Sequence, residues 1–229
     1  MAKRLLEQRE SIDKSRLYSP REALELLKEL KGAKFDESVE VHVNLNVDPR
    51  RADQMVRGTL MLPNGTGKTR KVAVFAEGDN AREAEEAGAD FVGSEDLAAR
   101  VQNEGFMEFD VAVAAPDQMR IVGRLGQILG PRGLMPNPKS GTVTPNVGRA
   151  VEDIKRGKIE YRVDRYGIIH GIIGKRSFDV DRLLENYFAM REELQRVRPA
   201  VVKGRYIKSV AISTTMGPSV KVDPTVDRD

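Results

Sequence analysis

Between Val39 and Val47 apolar and polar residues alternate without a break. Val39, Val41, Val43, Leu45 and Val47 point one way, and Glu40, His42, Asn44 and Asn46 point the other. This predicts a half-exposed β-strand with one polar face. Ahead of it, Ser19-Pro20-Arg21-Glu22 predicts a helix start with a capping box and proline at the first helical position. Ala23, Leu26, Leu27 and Leu30 share a face of that helix, and Gly32 can end it. Arg57–Leu62 reads as a second strand, and Pro63-Asn64-Gly65-Thr66-Gly67 as a break.

After the break the pattern changes. Short apolar strands at 71–76, 91–92 and 111–115 alternate with helical stretches at 80–87, 95–103 and from Asp117. Such alternation predicts a parallel sheet with helices on both faces. A Gly/Pro-rich stretch leads into a helix at 146–156, which Gly157 can stop. One-sided strands then return. Residues 158–163 and 168–173, with a turn at Asp164–Gly167, read as a hairpin. A long amphipathic helix follows from about Asp179, then a strand over 205–215, and a short strand after Gly217-Pro218. The two outer segments share one style and the middle has another. The expected organisation is therefore a discontinuous α+β domain, 1–65 plus 158–229, with a βα domain, 66–157, inserted into it. Gly65, Gly67 and Gly157 sit at the crossings, where few contacts need span a boundary, and are the expected hinge.

Charge sharpens this division. Residues 1–65 carry 12 basic and 11 acidic side chains, 66–157 carry 12 and 14, and 158–229 carry 14 and 10. The outer segments sum to +5 and the middle to −2, within a formal net charge of +3. Residues 118–151 contain no acid, yet hold Arg120, Arg124, Arg132, Lys139 and Arg149. An acid-free basic tract favours an anionic partner. Cysteine is absent, which excludes disulfides and thiolate sites, and two histidines cannot build a multi-histidine metal centre. Apolar runs reach only five residues, so no membrane span is expected, and the N-terminal residues lack the apolar core of a secretory signal.

The enzyme motifs are incomplete. Gly67-Lys68-Thr69 resembles the end of a phosphate loop, but position 62 is Leu where the loop needs glycine, and a strand follows rather than a helix. No GxSxG or HExxH occurs. In the run from Leu125 to Thr142, glycine and proline define a stiff path that carries Arg132 and Lys139, suited to holding cations toward phosphates or to capping the sheet. Phe35 beside Lys34 suits ribose or base packing, and equally a core position at a strand start. The hydroxyls of 213–215 suit RNA contact, and equally local backbone pairing.

KFDESVE at 34–40, DPRRADQMVRG at 48–58, LGPRGLMPNPKSGTV at 129–143 and TTMGPSV at 214–220 closely resemble the bacterial ribosomal protein L-one family, in the same order along essentially the whole chain. Ser213 departs from the threonine of many relatives but keeps the hydroxyl. The resemblance implies an inserted domain of Rossmann-like, three-layer α/β form. It implies a cytoplasmic, non-enzymatic constituent of the large ribosomal subunit with no cofactor, monomeric when free. Its partners would be the rRNA of the mobile stalk and tRNA leaving the exit site, with its own operon's mRNA as a target of repression. Carried over by position, one strand supplies Lys34, Phe35, Ser38 and Glu40, and another Ser209, Thr215, Met216 and Gly217. Arg162, His170 and Lys175 lie on the hairpin side. Apart from the resemblance, the acid-free tract makes Arg120, Arg124, Arg132 and Lys139 the expected secondary, weaker RNA contact. The competing reading is a phosphate- or nucleotide-handling enzyme on the inserted domain.

In this picture Ser38, Ser209 and Thr215 exchange hydrogen bonds with 2′-hydroxyls, while Met216 and Phe35 cover ribose faces. Gly217 allows close approach. Glu40 accepts from a 2′-hydroxyl or base amino group, or orients Lys34.

Overall fold

The computed structural model describes residues 3–227. Its first helix, α1 (Lys3–Glu10), has no counterpart in the sequence pattern. The helix is tied down by long-range bonds, from Arg4 Nη1 to the Gly32 carbonyl (2.9 Å) and from Gln8 Nε2 to the Lys31 carbonyl (2.6 Å). Helix α2 (Pro20–Glu29) starts as the capping box predicts. The Ser19 hydroxyl accepts from the Glu22 N–H, and the Ser19 N–H donates to the Glu22 carboxylate. The helix stops at Glu29, before Gly32. Gly32 serves another purpose, because a Cβ there would lie 1.6 Å from Arg176 Nη1.

The alternating segment forms β1 (Ser38–Leu45). Its burial alternates along its length, with Val39, Val41, Val43 and Leu45 inside. Lys34 and Phe35 lie in a bend ahead of it, so they are not strand residues as the sequence pattern suggested. A short 3-10 turn (Ala52–Gln54) leads to β2 (Arg57–Met61).

The chain divides into two compact units. One contains the residues up to Gly67 and those from Ile159 on, and the other is Lys68–Lys158. In the second unit β3 (Val72–Phe75) is the central strand. It pairs in parallel with β4 (Phe91–Gly93) on one side and β5 (Val111–Ala114) on the other. Between them run α3 (Gly78–Glu86) and α4 (Glu95–Asn103), and after β5 come α5 (Met119–Arg124), α6 (Gly126–Leu129) and α7 (Val147–Arg156). Alternate strand residues feed opposite faces. Ala73, Phe75, Ala112 and Ala114 pack with α4, α5 and α6. Val72, Val74 and Val113 pack with α3 and α7. A parallel sheet covered on both faces is what the continuous apolar strands require.

In the first unit β6 (Lys158–Arg162) and β7 (Ile168–Lys175) do not form the expected hairpin. Apart from one bridge, Val163 to Ile169, β6 pairs with β2 and β7 pairs with β1. Tyr161 explains the partner: it is buried against Gly58 of β2, where a Cβ would lie 2.5 Å from its hydroxyl oxygen. Then come α8 (Val180–Arg196), β8 (Ile207–Thr214) and β9 (Ser219–Val222). The four-stranded sheet has the order β7-β1-β8-β9, all antiparallel. Leu24 and Leu27 of α2 and Leu183, Tyr187, Met190 and Leu194 of α8 bury its inner face. Each such side chain contributes about 1.5–3 kcal/mol.

Candidate nucleic-acid interface

The strand register puts one set of polar residues on the outer face of the four-stranded sheet. Glu40 stands opposite Ile172 and Ser213, His42 opposite His170 and Ala211, and Asn44 opposite Ser209. Ser38, Glu40, His170, Lys175, Ser209 and Thr215 therefore share this face or its rim. Arg162 belongs to the β2–β6 sheet and does not join them.

Two apolar side chains stand out at the rim. Phe35 is 55% exposed and Met216 is 53% exposed. For Phe35 this decides against a core role, because burial would have been worth more than any local bond it gains. Lys34 beside it is exposed and makes no ion pair among the described residues. Ser38 is engaged on several sides. Its hydroxyl accepts from Lys175 Nζ (3.1 Å), its N–H donates to Thr215 Oγ1 (3.0 Å), and its carbonyl accepts from the Thr215 N–H (3.1 Å). The Thr215 hydroxyl thus clamps the strand, while the Ser209 hydroxyl is exposed and has no hydrogen-bond partner among the described residues. Gly217 has a local cause as well, since a Cβ there would lie 2.3 Å from Thr214 Oγ1.

Among the described residues the Glu40 side chain has no hydrogen bond or ion pair, so it does not orient Lys34; it lies in the field of His42. His42 and His170 meet through their Nδ1 atoms at 2.8 Å. His42 Nε2 reaches Ser213 Oγ at 2.9 Å, and His170 Nε2 faces Asp164 Oδ2 at 3.4 Å. Burial, then the neighbouring His170, pushes the pKa of His42 below its ordinary value, with Glu40 opposing. Two Nδ1–H groups cannot face each other at that distance, so the pair accommodates a single shared proton there.

Sequence reasoning missed Glu37, which sits under the rim at 1% exposure. Its carboxylate accepts from the Ala33 N–H, from the Met216 N–H (3.0 Å) and from the Thr214 hydroxyl. Arg176 Nη1 lies 3.8 Å away. Burial alone would raise this carboxyl, but the two N–H groups, the hydroxyl and the guanidinium hold it below the usual carboxylate range. The motif KFDESVE contained the residue, but nothing in its local pattern distinguishes a buried carboxylate from a solvated one.

In the second unit Arg120 and Arg124 lie one turn apart and exposed on α5. Arg132 is exposed in the loop after α6, and Lys139 on a 3-10 turn (Pro138–Ser140). Among the described residues none of these four side chains has an ionic partner. Arg149 belongs to α7, in the helical layer across the sheet from α5, so the acid-free tract does not form one patch. Gly65, Gly67 and Gly157 all have positive φ, at 64°, 70° and 110°. Gly65 is fixed by Asn186, and a Cβ on Gly67 would lie 2.8 Å from Lys175 and Phe178 atoms. Lys68, which follows, pairs with Asp110 at 2.6 Å, and β3 begins soon after; Lys68 is therefore committed to a carboxylate and does not head a phosphate-binding helix. Among the described residues no group of His, Asp and Glu side chains is placed to hold a metal ion, and no helix is long and apolar enough to cross a membrane.

Residues 27–218 match the Ribosomal protein L1p/L10e family. The chain belongs to this family. Every candidate residue from Lys34 to Gly217 falls inside the matched span. The chain is similar to large ribosomal subunit protein uL1 of Rubrobacter xylanophilus, 82% identical over 227 residues and covering 99% of both chains. It is also similar to large ribosomal subunit protein uL1 of Thermobifida fusca, 60% identical over 220 residues, 96% of this chain and 93% of the relative. The L1p/L10e relatives thus match this chain nearly end to end, with both of its units included.

Proposed function

We propose that the chain is a structural constituent of the large ribosomal subunit that binds the rRNA of the mobile stalk through the outer face and rim of its four-stranded sheet. The observation that carries this reading is the exposure of Phe35 and Met216 at the rim near Ser38, at one end of a face whose register is fixed and whose other end carries the exposed Ser209 opposite Asn44. A-form RNA offers 2′-hydroxyls, ribose faces and phosphates rather than base edges, and this is the donor, acceptor and apolar set that meets them. The excess of basic residues in the outer segments supplies attraction, and the fixed hydroxyls and apolar pair supply discrimination. Arg162 and the exposed cations of α5 and the following loop serve as outlying phosphate contacts. The crossings after Gly67 and after Lys158 serve as the hinge between the RNA-binding domain and the inserted domain, and the stalk that carries them assists release of deacylated tRNA.

A second reading coexists with the first. An operon mRNA that folds into the same shape would compete for the same face, and repression of translation would follow. Filter binding with the full chain tests both readings. A stalk rRNA fragment is expected to bind far more tightly than a scrambled RNA of equal length, and the operon leader to compete for the same sites. Met216→Asp is expected to lower affinity for the matched RNA by tenfold or more, because it puts a charge of the wrong sign in a close contact. Unchanged affinity in folded Met216→Asp would remove the rim from the reading.

A further inference from the structure

The two segments that display Phe35 and Met216 are far apart in sequence and have no regular structure of their own. The bend at 34–35 precedes β1, and the 215–217 turn follows β8. One buried carboxylate joins them. Glu37 accepts from the N–H of Ala33 on one side and from the N–H of Met216 on the other. Its position is fixed from behind by Arg176, whose Nη2 donates to the carbonyls of Lys28 and Leu30 and whose N–H donates to the Glu37 carbonyl. The bare Cα of Gly32 makes room for that guanidinium. Arg4 reinforces the link from outside, bonding the carbonyls of Gly32 and Met216. We propose that Glu37 is a positioning residue of the RNA site: without touching RNA, it holds the Phe35 bend and the Met216 turn in one arrangement and so sets the affinity for matched RNA.

This rests on the RNA-binding reading above and makes a prediction of opposite sign to simple electrostatics. Removing a carboxylate near RNA should strengthen binding if charge alone matters. Loss of the positioning bond should weaken it. Glu37→Gln keeps the shape, but it offers one acceptor oxygen and an NH2 group, so it cannot accept from both N–H groups.

The test combines two readouts on the full chain. Amide hydrogen exchange in the free protein reports the Ala33 and Met216 N–H groups. Filter binding at fixed salt reports affinity for the stalk rRNA fragment and for a mismatched one. In Glu37→Gln, exchange should quicken at one or both amides. Affinity for matched RNA should fall about tenfold, the size of one lost charge-assisted bond's worth of order, with mismatched binding and the salt slope unchanged. If Glu37→Gln does not fold, Glu37→Asp carries the same test, since it keeps the charge against Arg176 but lacks the reach to hold both segments. Retained or increased affinity for matched RNA, or an equal loss for matched and mismatched RNA, overturns the proposal. Met216→Asp run in parallel separates the failures. If Met216→Asp weakens binding and the Glu37 variants do not, the positioning role falls and the site stands. If neither weakens binding, the site falls and the role with it.

Discussion

Asn186 gives the most sharply defined stability prediction. It is fully buried on α8 and makes three bonds to backbone. Its Nδ2 donates to the carbonyls of Ile173 (2.7 Å) and Gly65 (2.9 Å), and its Oδ1 accepts from the Asn64 N–H (3.0 Å). The Ile173 carbonyl needs this bond because of a β-bulge. The register passes from Glu40 opposite Ile172 to Val39 opposite Gly174, which leaves Ile173 without a partner on β1. Asn186→Leu fills the same space with an apolar group and strips all three bonds. The buried Ile173 carbonyl then costs about 1–3 kcal/mol, and the part-buried groups of Asn64 and Gly65, which water can reach, about 0.5–1 kcal/mol each. Burying the extra apolar surface offsets about 1 kcal/mol. The expected net loss is about 1–4 kcal/mol, or roughly 2–16 °C in Tm for a chain of this size. Urea unfolding followed by far-UV circular dichroism measures it, and hydrogen exchange should show protection lost around Ile173 while Val72–Phe75 stays protected. A loss under about 0.5 kcal/mol would refute the assignment of Asn186 as the clamp of the bulge and of the chain leaving at Asn64–Gly65.

Two further predictions concern charge. Arg132→Ala with Lys139→Ala should weaken binding to matched and mismatched RNA alike and make log affinity against log salt shallower by about 1–2 units, since each lost phosphate contact contributes about 0.7–0.9; earlier melting with an unchanged slope would mean the loop is purely structural. His42 is held neutral below its ordinary 6.5, so the unfolded chain takes up a proton first as the solution is acidified. The stability present above about pH 6.5 is then lost as pH falls toward the lowered folded value. Denaturant midpoints at pH 7.5 and 5.5 should show this loss in the wild type and a smaller one in His42→Gln, and equal losses would place the effect elsewhere.

Much of the architecture was legible because it is encoded locally. The alternation of β1 is a property of successive residues, and the register places Glu40, His42 and Asn44 on one face once the inner valines are buried. The Ser19–Glu22 box, the Asp179 start of α8 and the apolar strands Val72–Phe75 and Val111–Ala114 are equally local. What tertiary structure alone decided is every pairing across sequence distance. Residues 158–163 and 168–173 look like a hairpin by spacing, yet β6 joins β2, because Tyr161 needs the space above Gly58. Helix α1 is too polar to announce itself and exists through the carbonyls of Lys31 and Gly32. The position of Phe35 outside the core and of Glu37 inside it inverts what their side chains suggest. A carboxylate becomes a buried link only when donors from residues 33, 214, 216 and 176 converge on it, and that convergence is a property of the folded chain, not of the segment that carries the residue.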